Sequence, residues 1–95
     1  MAIKRQFTTP QAKEIGTRLG IEWKEFNLEE FRRGLAVELE HGMHDPQTNV
    51  TNDDPDLTGK IAWAHLKEIP DYYTRLDLME SEANAYWAAI RMKGP

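Results

Sequence analysis

Apolar positions along this chain recur three and four residues apart, and no convincing strand can be read in it. Four helical segments follow from that spacing. The first runs over 9–20, with Thr9 as N-cap, Pro10 at the first helical position and Gly20 as the stop. Its apolar edge, Ile15 and Leu19, is short, so it must dock on a longer element. The second opens at Asn27, where Glu30 stands three residues on and can reach back to complete a capping box. Leu28, Phe31, Leu35 and Leu39 share one face of it, and Gly42 is its expected C′ residue. Gly34, inside that helix, costs stability relative to alanine and points to a close helix crossing.

Residues 43–54 form a long polar loop, read first as a crossover connection. Asp54 and Pro55 then cap and open a third helix reaching about residue 69. Leu57, Ile61, Ala64, Leu66 and Ile69 spread over its apolar arc, with His65 near the middle and Glu68 inside. Pro70 breaks or kinks the chain, and a fourth helix continues to about residue 92. In it Ile69, Tyr72, Leu76, Met79, Ala83, Tyr86 and Ile90 make a heptad-like seam, which leaves Tyr73, Leu78 and Trp87 outside. The expected fold is therefore all-α: one domain over 1–95, a small bundle of about four helices, the last two joined at a proline kink or turn. The N-terminus, about 1–8, is expected to be flexible.

Composition narrows the classes of function. Hydrophobic residues make up 40% and charged residues 29% of 95, as in an ordinary folded domain with one modest core. No apolar run approaches the ~20 residues of a membrane span, and the basic start "MAIKRQFTTPQ" has no apolar stretch behind it. With no cysteine, disulfides and thiolate chemistry drop out, and a cytoplasmic location is the simplest expectation. Net charge is −4 with Lys and Arg dispersed among acids, so no basic face invites nucleic acid.

The strings "ELEHG", "DPQTNVTNDDP" and "TGKIAWAHLKEIPDYYTRL", with the following Met79-Glu80, carry a family resemblance. Over about 15–83 the chain resembles a domain of unknown function found in small bacterial and bacteriophage proteins. What the resemblance implies is a stand-alone, cytoplasmic, phage-associated small protein, in the host cytoplasm or the virion if phage-encoded. It supplies no activity, cofactor or catalytic residue.

The candidate chemistry lies in two pairs. Glu38 and His41 stand three apart near the end of the second helix, and His65 and Glu68 three apart on the third. Each pair projects from one helical face, and Glu-x-x-His on facing helices is how carboxylate-bridged metal bundles are built. At ~100° per residue Glu38 flanks the apolar arc beside Phe31, whereas Glu40 faces away. The four could hold zinc, iron or manganese, with His44 from the loop as an extra ligand and Tyr72 and Tyr73 supporting Glu68. Buried, hydrogen-bonded polar residues give the same pattern. Geometry also resists the metal site: His65 stands about ten residues, roughly 15 Å, into its helix, while His41 ends the other. A tight antiparallel hairpin would keep the pairs apart unless the loop carries the chain back. Without a nucleophile in a recognisable setting, the leading expectation is a non-catalytic protein that binds a protein partner or self-associates through the last helix. Transition-metal binding is the alternative.

Overall fold

The structure, a computed structural model, describes the backbone of residues 6–93 and the side chains of residues 6–91. It contains α1 (Thr9–Leu19), α2 (Leu28–Glu38) with a 3-10 turn at Leu39–His41, α3 (Pro55–Glu68) and α4 (Tyr72–Lys93). Among the described residues there is no strand, and the all-α expectation stands.

The caps fix these bounds. α1 is capped by Thr8 rather than Thr9: the Thr8 hydroxyl accepts from Gln11 N while the Gln11 side chain accepts from Thr8 N. Only Thr8 has a residue three positions on that can return the bond, because Thr9 is followed at that spacing by Ala12. Gly20, at φ 96°, closes the helix in the left-handed conformation that glycine adopts at least cost. Asn27 caps α2 by accepting from Glu30 N at 2.9 Å, but the Glu30 side chain does not reach back. It crosses instead to α4, where its carboxylate accepts from Thr74 N at 2.8 Å and Thr74 Oγ1 at 3.0 Å. Asp54 caps α3 through Asp56 N and Leu57 N. Ile69 is extended, as the residue before proline prefers, and the turn at Pro70 starts α4.

The core gathers around Phe31, which is fully buried with Leu35, Ala62 and Leu66. Trp23 leans on its ring at 5.6 Å between centroids. α3 is rotated from the expected arc. Its buried face is Thr58, Gly59, Ala62 and Leu66, whereas Leu57 and Ala64 are exposed. Small residues win here because α1 comes too close for larger ones. A Cβ on Gly59 would stand 2.8 Å from Leu19 Cδ1 and 3.1 Å from Ile15 Cγ2. Of the N-terminal stretch expected to be flexible, residues 1–5 lie outside those described, while Phe7 is buried in the core.

The long loop is folded on itself. His41 O accepts from Val50 N and Thr51 N, Asp53 Oδ1 accepts from Met43 N, and Thr51 is almost fully buried. Asn52 and Asp53 take left-handed φ values of 54° and 62° to close it. Gly42 is not a left-handed C′ residue, its φ being −106°. What demands glycine is crowding, because a Cβ there would lie 1.9 Å from Asp53 Oδ1. Both loop ends are thus held at the end of α2. α3 nevertheless packs alongside α2 in the same direction: a Cβ on Gly59 would stand 3.4 Å from Phe31 Cζ near the start of α2, and His65 reaches Glu38 in its last turn.

α4 is clasped only at its start. Tyr73, left out of the expected seam, is fully buried, alone in α4 among the described side chains, and Arg33 on α2 bonds both Thr74 and Asp77. From residue 81 to residue 91 every side chain is exposed. The radius of gyration, 15.1 Å, exceeds the roughly 12 Å of a compact chain this long, and the longest dimension is 50 Å. Residues 78–93 would span roughly 24 Å of projecting helix.

Gly34 marks the point where α4 docks. A Cβ on it would lie 2.4 Å from the Tyr73 ring, so a ring, not a helix backbone, makes the expected close approach. Gly34→Ala should destabilise the fold by about 1–3 kcal/mol through overpacking, read as a lower urea midpoint at unchanged slope.

Candidate functional site

Both histidines reach Glu38, and Glu68 joins them only through His65. The last turn of α2 carries this carboxylate inward at 3% exposure. Its Oε2 accepts the Tyr73 hydroxyl at 2.6 Å, a bond between two buried groups on different helices. His65 Nε2 lies 3.7 Å from the same oxygen, and His41 Nε2 lies 3.7 Å from Oε1. These longer distances are electrostatic contacts rather than hydrogen bonds. Glu68 stands behind His65, its Oε1 3.4 Å from Nδ1. His44 is exposed in the loop and takes no part in these contacts.

Three rings wall the carboxylate. Tyr72 stacks on His65 at 4.2 Å and 13°, and Tyr73 meets Tyr72 edge-on at 5.0 Å and 74°. The tyrosines therefore serve Glu38 and His65, not Glu68 as expected. That stacking holds the imidazole plane, while His65 Nδ1 is buried without a hydrogen bond despite its proximity to Glu68. The direct Tyr73–Glu38 bond had one indirect sign in the sequence, the glycine at position 34 that makes room for a ring.

This geometry limits what the cluster can do. His65 turns Nε2 towards Glu38 and Nδ1 towards Glu68, on opposite sides of one ring, so in this arrangement one ion cannot be shared by all four residues. Among the described residues no three His, Cys, Asp or Glu side chains are grouped so that they could hold a metal ion. Glu38 and Tyr73 are closed to solvent, leaving His41 and Glu68 as the exposed rim. The cluster's contacts tie α2, α3 and α4 together.

A family described as protein of unknown function, DUF5661, matches residues 12–82. The chain belongs to this family. The match contains both Glu/His pairs and Tyr73 and ends at Glu82, leaving the outer part of the α4 seam beyond it. No curated protein and no solved structure matches the chain. No helix among the described residues is long and apolar enough to cross a membrane.

Burial, and then the bond to Glu38, push the Tyr73 phenol well above its ordinary value near 10. The unfolded chain therefore loses this proton at lower pH than the folded one does. The stabilisation is fully present below about pH 10 and declines as pH rises above it. In an alkaline titration followed by tyrosinate absorbance, Tyr73 should ionise only as the protein unfolds. Tyr73→Phe should cost roughly 1–3 kcal/mol at neutral pH, because it leaves a buried carboxylate short of a donor, and should weaken the alkaline loss of stability.

Proposed function

We propose that this protein is a non-catalytic association module, with α1, α2, α3 and the Glu38–Tyr73 clasp presenting the outer half of α4 to a protein partner, in the first instance another copy. The observation that carries this reading is the row of large apolar side chains beyond the clasp. Met79 is 59% exposed, Tyr86 59%, Trp87 56% and Ile90 41%. Scattered exposed apolar residues need no explanation, but these fall on adjoining positions of one helix. The core gains nothing from them, since α4 leaves it near Asp77.

Met79→Glu and Ile90→Glu should each abolish concentration-dependent association in sedimentation velocity. Because both sites are exposed, unfolding free energy should change by no more than about 0.5 kcal/mol. A wild-type chain that sediments as a monomer at every concentration overturns self-association.

A second reading, transition-metal binding, draws on the convergence of His41 and His65 on opposite oxygens of Glu38. Zinc, iron or manganese would have to displace Tyr73 or draw the imidazoles inward, and would bind without Glu68 or His44. Protein purified without chelator or affinity tag should then carry metal near one equivalent, lost in His65→Ala. Metal-free protein whose melting temperature ignores all three ions leaves the cluster structural.

A further inference from the structure

Resting on the proposed role of α4, we infer that a second copy of this chain covers its seam in antiparallel register, setting Met79 against the partner's Ile90 and Ala83 against the partner's Tyr86. The free seam residues are Met79, Ala83, Tyr86 and Ile90, spaced four, three and four apart. That spacing reads the same from either end. Antiparallel pairing sets the small Ala83 opposite the large Tyr86 twice, once on each side of the two-fold axis. Parallel pairing would stack alanine on alanine and tyrosine on tyrosine, leaving a gap beside a crowded layer. Trp87, packed edge-on against Tyr86 at 5.1 Å and 83°, sits beside the seam where it can cover the joint.

Charge selects the same orientation. The segment is acidic at its near end, with Glu80 and Glu82, uncharged over 83–90, and basic at its far end, with Arg91 and Lys93. None of these four has an opposite charge three or four positions away on the helix. The helix dipole favours the two cations in the last turn, but its influence does not reach two turns in from the start, where the glutamates stand. An antiparallel copy brings each acidic end to a basic end, and a parallel copy sets like against like. The antiparallel arrangement also puts the two globular parts at opposite ends of the shared helical pair. Two heptads are short for a coiled coil, so the dimer is a weak one and its dissociation falls within the range sedimentation follows.

The chain has no cysteine, which makes disulfide trapping direct. Full-length Met79→Cys and Ile90→Cys variants are oxidised separately and as an equimolar mixture, after sedimentation has fixed the concentration at which each dimerises. Both substitutions lie on exposed helix, so the fold is retained. The expected result is a disulfide-linked dimer in the mixture, several-fold above either variant alone. Self-linking of the separate variants at or above that level overturns the antiparallel register while the association reading stands. So does dimerisation without linkage in any arm. A wild-type monomer at all concentrations overturns both.

Discussion

The hydrogen bond from Tyr73 to Glu38 is the contact around which the molecule is arranged. It joins the end of α2 to the start of α4, and it is buried at both ends. A carboxylate in that position without a donor would be costly, so bond and burial are kept together. The bond needs room for the phenol ring, which Gly34 provides one helical turn before Glu38. Beside it α3, packed along α2, brings His65 and its stacked Tyr72 to the same carboxylate. The folded loop between the helices leads into α3 with Val50 and Thr51 tied to His41.

How far the fold could be read from the sequence depended on whether a signal was local. Asn27 and Asp54 were recognisable because a cap acts within three residues of itself. Glu30 was misassigned for the same reason. Its spacing from Asn27 suits a capping box, yet its carboxylate is taken by Thr74, forty-four positions away. The α3 face was misread because apolar periodicity weighs large side chains, whereas close contact with α1 selects Thr58, Gly59 and Ala62. Gly42 looked like a left-handed helix end and is glycine because Asp53 presses against it.

The candidate site divides along the same line. Helical spacing was enough to group Glu38 with His41 and His65 with Glu68. It could not show that α3 packs along α2 in the same direction, and so could not say whether the pairs meet. Nor could it show that Glu38 and Glu68 face different nitrogens of His65. Tyr73 was hidden because a heptad pattern on α4 assigns it to the flank. Only Tyr72 and Leu76 of that seam's first half lie against the core, both partly buried, while its second half points away.

Glu30 gives α4 an unusual beginning. A helix pays most for its first turn, and here the carboxylate of another helix accepts the Thr74 amide that would otherwise be an orphan, placing negative charge at the positive end of the dipole. The first turn of α4 is thereby completed by α2, and the projecting segment continues from a start whose place and rotation are set by the core. Any surface that segment presents is indexed, residue by residue, to the position of Glu30 in the core.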